Sequence, residues 1–147
     1  MRLLGLDVGD RTIGVALSDE SATLASGLYT IRRAGLKKDL RELAELAQGR
    51  EVGRVVVGLP RSLDGSLGPQ ALKVMAFVLA LKGAVKVPVV TWDERLTTVA
   101  AEQALIEGGV SRERRKDLVD KVAAVLILQN YLDYRKAANG EADEPTA

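Results

Sequence analysis

The chain contains neither cysteine nor histidine. Without cysteine there is no disulfide framework and no thiolate metal site. Without histidine, Ser-His-Asp and Cys-His catalysis and imidazole zinc sites are excluded as well. Aromatic residues are scarce, with one Phe, one Trp and three Tyr. Extensive base stacking is therefore not expected, and recognition of a nucleic acid would rest on its backbone. Long apolar runs are missing too. The longest, Val122 to Leu128, falls far short of the roughly 20 residues needed to cross a bilayer. The apolar start at Met1 is broken by Asp7 and then by Asp10 and Arg11, unlike a signal peptide. The expectation is a soluble cytoplasmic protein with no membrane partner.

Nor does charge of one sign dominate. The 21 basic and 20 acidic residues leave a formal net charge of +1. This argues against a generally basic nucleic-acid coat but leaves room for a local basic patch. What remains for chemistry is the carboxylate. Catalysis or metal binding in this chain must run mainly on Asp and Glu, which favour hard cations such as magnesium or manganese.

A length of 147 residues suits one domain with a sizeable core. Leu3 to Val8 and Ile13 to Ser18 flank Gly9-Asp10-Arg11-Thr12, the pattern of a hairpin. Leu28 to Ile31 reads as a third strand, and Val55 to Val57 and Val87 to Thr91 as buried strands bounded by Gly and Pro. Leu36, Leu40, Leu43, Ala44 and Ala47 recur at helical spacing. Pro69 suits the start of a second helix running to about Lys82. Thr97 to Ile106 reads as a third helix, stopped by Gly108-Gly109, and about Arg115 to Leu132 as a fourth. The order β-β-β-α-β-α-β-α-α predicts an α/β fold. Its mixed five-stranded sheet has three antiparallel and two parallel strands, with helices on both faces. One domain is expected over residues 1–138, and residues 139–147, small and acidic, are expected to be a disordered tail.

Three acidic positions stand out. Asp7 shares one face of the first strand with Leu3 and Gly5, and a buried carboxylate must be compensated by a cation, amide groups or a metal. The turn's own amides are the plainer compensation. Glu94, in "TWDERLTT" beside Asp93, follows a strand at its carboxyl end, where open α/β sheets place ligands. Helix capping, with Arg95 as a surface partner, is the plainer reading. Asp120 heads a helical stripe with Ala123, Ala124, Ile127 and Tyr131, and Asp117 lies one turn earlier. An acid near the amino end of a helix is common, but its inward direction is not.

Taken together, Asp7, Glu94 and Asp120 are expected at one end of the sheet. Three such charges repel one another, and a divalent cation is the natural compensation. A cage for one or two Mg²⁺ (or Mn²⁺) ions suits phosphodiester hydrolysis. Paired ions stand about 4 Å apart, with Asp7 as the bridging ligand. Arg11, Arg95, Arg114, Arg115, Lys116 and Lys121 are the candidate contacts to a nucleic-acid backbone, although a solvated face accounts for any one of them. The loop "GLPRSLDGSLGP", Gly58 to Pro69, leads into a helix amino end. It suits an anion or a mobile edge but has no Walker lysine pattern.

The segments "GLDVGDRTIGVALSD", "VVVGLPRSLDGSLG", "TWDERLTTVAAEQAL" and "DLVDKVAAVLILQNYLD" resemble, in this order, the hallmark motifs of the YqgF/RuvX family. The resemblance covers about Leu3 to Leu132. It implies an RNase H-like fold and a metal-dependent nuclease whose acids match Asp7, Glu94 and Asp120. It also implies a structured RNA or branched DNA substrate: the 5′ end of the 16S ribosomal RNA precursor, or a four-way DNA junction. The second substrate requires paired cuts and hence a homodimer. Arg61-Ser62-Leu63 departs from the family's usual loop. Two other classes stay open: a non-catalytic nucleic-acid-binding module on the same fold, and an ATP-binding module, since the first hairpin also resembles that of actin-like ATPases. The chain is short for the latter.

Overall fold

The computed structural model describes residues 1–62, 64–94 and 112–141, the last helix by its backbone alone over 112–121 and 139–141. Strands β1 (Arg2–Val8), β2 (Thr12–Ser18) and β3 (Ala25–Arg32) come first. They are followed by α1 (Leu36–Gly49), β4 (Val52–Leu59), α2 (Pro69–Ala84), β5 (Val89–Asp93) and α3 (Arg112–Glu141). The sheet order is β3-β2-β1-β4-β5. β1 pairs antiparallel with β2, and β2 with β3, while β1–β4 and β4–β5 are parallel. This is the mixed sheet expected from the sequence.

β1 is central and apolar on both faces because both are covered. Leu4, Leu6 and Val8 join Val55, Val57 and Leu59 of β4 in a core shared with Leu43 of α1 and Val74, Phe77, Val78 and Leu81 of α2. The opposite face carries Leu3, Ala16 and Val56 under Ala124, Ile127, Leu128 and Tyr131 of α3. Each fully buried Leu, Ile or Val stabilises by roughly 1.5–3 kcal/mol relative to exposure, so both layers are held mainly by apolar burial.

Several elements depart from the sequence expectation: β4 spans Val52–Leu59 rather than Val55 to Val57, β5 spans Val89–Asp93 rather than Val87 to Thr91, and β3 and α3 differ as well. β3 begins at Ala25 rather than Leu28. Ala25, Ser26 and Gly27 have weak strand propensity. They are recruited by pairing with Ser18, Leu17 and Ala16 and by the Ala25 N–H, which donates to Gln129 Oε1 of α3 at 2.9 Å. α3 is longer than Arg115 to Leu132 and runs past Ala138 to Glu141. The expected helix from Thr97 to Ile106 lies outside the described residues, as do residues 142–147. Among the described residues, no helix is long and apolar enough to cross a membrane.

Candidate active site

Asp7 is the penultimate residue of β1, half-buried, on the face that carries Leu3 and Gly5 towards α3. Leu6 pairs with Val57, so Asp7 and Gly58 stand one step further along adjacent strands. On the other side of β4, Gly58 pairs with Trp92 and Leu59 with Asp93. The Glu94 N–H extends this ladder, donating to the Leu59 carbonyl at 3.1 Å. Trp92 faces α3, meeting Tyr131 edge-on with ring centroids 5.8 Å apart. Glu94 follows by two residues and returns to the same face.

Glu94 is buried. Its carboxylate lies over Gly58, where an added Cβ would collide with Glu94 Oε2 and Ile127 Cδ1. Among the described residues, Oε2 has no hydrogen-bond partner. Burial, followed by the negative charges of Asp7 and Asp93, pushes the Glu94 pKa up to about 8. The carboxyl is therefore costly to ionise in the protein alone, and a cation beside it would reverse that cost.

The backbone orients α3 over this pair. Arg54, which pairs with Leu3, donates from Nη1 to Tyr131 Oη at 2.7 Å. Further along β1, a Cβ on Gly5 would come 2.7 Å from Leu128 Cβ and 3.2 Å from the Ala124 carbonyl. Progress along β1 thus corresponds to regress along α3. Asp7 is two residues beyond Gly5, about 6.7 Å. Asp120 is one turn before Ala124, about 6 Å of helix rise. The backbone registers agree, while the Asp120 side chain lies outside the described residues, as do those of Asp117, Arg114, Arg115, Lys116 and Lys121, and the whole of Arg95. Among the described residues, no group of three or more acidic side chains is close enough to hold a metal. The pair brought together is Asp7 and Glu94.

Arg11 is exposed at the β1–β2 turn. The loop after β4 folds on itself. Arg61 Nη1 donates to the Gly65 carbonyl at 3.0 Å, and Asp64 Oδ1 accepts from the Ser66 N–H and hydroxyl. Sequence reasoning missed Gly58 as the space that admits Glu94. Its signal was a glycine closing an otherwise β-branched strand, a mark of close approach. It also missed Arg33 and the buried Asp39, whose partners are distant in sequence.

Known proteins resemble this chain in sequence and fold. The family model described as RuvX, Holliday junction resolvase, matches residues 1–134. A protein of Thermoanaerobacter pseudethanolicus named "Putative pre-16S rRNA nuclease" is 56% identical over 137 residues, 92% of this chain and 99% of that protein. One of the same name from Clostridioides difficile is 50% identical over 134 residues, 91% and 95% of the two chains. Among solved structures, Thermus thermophilus RuvC in complex with a Holliday junction substrate matches with a TM-score of 0.59 at 18% identity, covering 99% of both chains. The fowlpox virus Holliday junction resolvase matches with a TM-score of 0.56 at 13% identity, covering 91% of this chain and 99% of that one. At such identities the likeness is one of fold, and it bears out the RNase H-like architecture.

Proposed function

Because this chain belongs to the RuvX family, we propose that it is a divalent-metal-dependent endonuclease that hydrolyses phosphodiester bonds in the 5′ region of the 16S ribosomal RNA precursor. The observation that carries the reading is the Glu94 carboxylate, buried over Gly58 beside the charge of Asp7, with Oε2 unpartnered among the described residues. Such an atom calls for a cation, and an all-oxygen donor set in a chain without Cys or His fits Mg²⁺ or Mn²⁺. Asp7 and Glu94 would hold the ion, with Asp120 as the third ligand from α3. When bound, the ion lowers the pKa of an attacking water and stabilises the leaving oxygen.

The chain's own residues do the rest. β1 and the end of β5 place the two carboxylates, Gly58 leaves room for one of them, and Ile127 of α3 closes over that glycine. Arg11 at the turn, Arg95, and Arg114, Arg115, Lys116 and Lys121 along the start of α3 would hold substrate phosphates without reading sequence. The acid at 120, the basic contacts and the metal itself are all parts of this proposal. So is a cytoplasmic location, where ribosomal RNA precursors are processed.

The names of the curated relatives favour the RNA substrate. The family description and the RuvC-like fold favour a second reading, cleavage of four-way DNA junctions by a homodimer. The deciding experiment incubates the purified chain with Mg²⁺ or Mn²⁺ and either a 16S precursor RNA or a four-way junction, with Asp7→Asn alongside. Metal-dependent cutting of the RNA by the wild type alone supports the reading. Cutting of the junction alone selects the second, and binding without cutting in both metals rejects both in favour of a non-catalytic binder.

A further inference from the structure

A second polar cluster lies at the hairpin end of β1, on the sheet face opposite Asp7. Arg33, just after β3, donates from Nε to Asp39 Oδ2 at 3.1 Å and from Nη1 to the Gly9 carbonyl at 3.0 Å. Its guanidinium stands 5.1 Å from the centroid of the Phe77 ring in α2. Its backbone N–H donates to the Arg11 carbonyl at 2.9 Å. Asp39, in the first turn of α1, is only 1% exposed, and its other oxygen accepts the Ala34 N–H at 3.0 Å. One side chain therefore ties the β1–β2 turn to both helices of that face.

Other ties hold the turn as well. The Gly9 N–H donates to the Thr12 carbonyl at 2.8 Å. Lys73 reaches Asp10 at 3.4 Å, but both side chains are 63% exposed, and such pairs hold weakly. Gly9 follows Asp7 by two residues, so displacement of the turn is passed to the end of β1. Arginine suits the post because its planar fork serves two acceptors while its face rests on a ring. A lysine has one ammonium and cannot reach both acceptors in that geometry.

We propose that Arg33 is a positioning residue for Asp7: by holding the Gly9 carbonyl against Asp39 and Phe77 it fixes the end of β1, and with it the carboxylate that faces the cation. This rests on the reading of Asp7 and Glu94 as metal ligands. Groups that orient a ligand without touching the ion act through affinity and rate more than through stability, which separates this role from that of a merely structural ion pair.

The test compares the full-length wild type, Arg33→Lys and a stability control, Val52→Ala, which removes core volume where β4 pairs with Arg2, at the end of β1 remote from the turn. Three quantities are read: amide hydrogen exchange over residues 9–12, Mn²⁺ affinity from the electron paramagnetic resonance of the free ion, and kcat and KM on the cleaved substrate. Arg33→Lys is expected to speed exchange in the turn, to weaken Mn²⁺ binding roughly 10-fold, and to lower kcat with KM unchanged. Val52→Ala is expected to lower Tm with turn exchange and Mn²⁺ affinity as in the wild type. Wild-type exchange and Mn²⁺ affinity in Arg33→Lys would overturn the positioning role, as would equal losses in Val52→Ala. An absence of Mn²⁺ binding by the wild type itself overturns the metal reading along with this role, a result distinct from tight wild-type binding that Arg33→Lys leaves untouched.

Discussion

The carboxylate of Glu94 fills the space that a side chain on Gly58 would need. β4 is β-branched up to that point, Val55-Val56-Val57, and becomes glycine at the step where an acid from the neighbouring strand must lie across it. A single methyl group there displaces Oε2, because Ile127 of α3 blocks the other direction. Gly58→Ala is therefore expected to abolish metal-dependent cleavage while costing only about 1–3 kcal/mol of stability, the usual range for overpacking. Cleavage rate and urea unfolding measured on the same preparation separate the two effects.

Asp7→Asn keeps the shape of the side chain and removes its charge. Loss of a ligand to the ion is expected to slow cleavage by a factor on the order of 10² or more, about 3 kcal/mol of transition-state stabilisation. The fold should survive with Tm unchanged or raised, since the negative charge that opposes Glu94 is gone. For the same reason the Glu94 pKa should move down from about 8. A ¹³C titration of the Glu94 carboxyl reads this shift directly, and a pKa that stays put would separate the two residues.

Stability without metal should depend on pH in a definite direction. Glu94 binds its proton more tightly when folded, with a pKa of about 8, than at its ordinary value of 4.5. Its protonation favours the folded state fully at low pH, and this contribution is lost as pH rises from about 4.5 through 8. Each unit of separation corresponds to at most about 1.4 kcal/mol. Mg²⁺ binds the ionised form, so the Tm gained on adding Mg²⁺ should grow between pH 6 and pH 9. Differential scanning calorimetry with and without Mg²⁺ checks this, and Glu94→Gln should flatten both trends.

The closeness of α3 to β1 at Gly5 makes another prediction. A Cβ 2.7 Å from Leu128 Cβ and 3.2 Å from the Ala124 carbonyl meets backbone as well as side chain, so the helix itself must shift. Gly5→Ala should destabilise by about 1–3 kcal/mol and reduce cleavage by more than its Tm explains, because Asp120 rides on the same helix. Leu128→Ala alone should cost about 2–5 kcal/mol. The double variant should fall short of the sum, since the cavity accepts the new methyl. Chemical denaturation of the four proteins closes the cycle.

Much of this was readable from residue order. Apolar strands with β-branched centres, Pro69 at a helix start and the stripe from Ala123 to Tyr131 carry local signals, and the described elements formed around those patterns, β4 longer and β5 two residues later than read. β3 was read short because Ala25-Ser26-Gly27 extends only through its partner strand. Asp7 was singled out by an acid's cost on a buried strand and Glu94 by its place at the carboxyl end of another, and the sheet brings their charges near one another. Gly58, Arg33 and Asp39 were not, since their roles depend on partners that meet only after folding: Glu94 across β4, and Gly9 and Phe77 from separate elements. The basic residues 114–116 and 121 and the acid at 120 stay as the sequence left them, proposals argued from spacing and helix register.

The most direct measurement of the central claim is an anomalous-scattering map of crystals soaked in Mn²⁺. The expected result is a peak within coordination distance, about 2.0–2.3 Å, of carboxylate oxygens from both Asp7 and Glu94, with Asp120 completing the set. A well-ordered map with no peak between those two side chains, or with manganese bound only elsewhere on the chain, would contradict it.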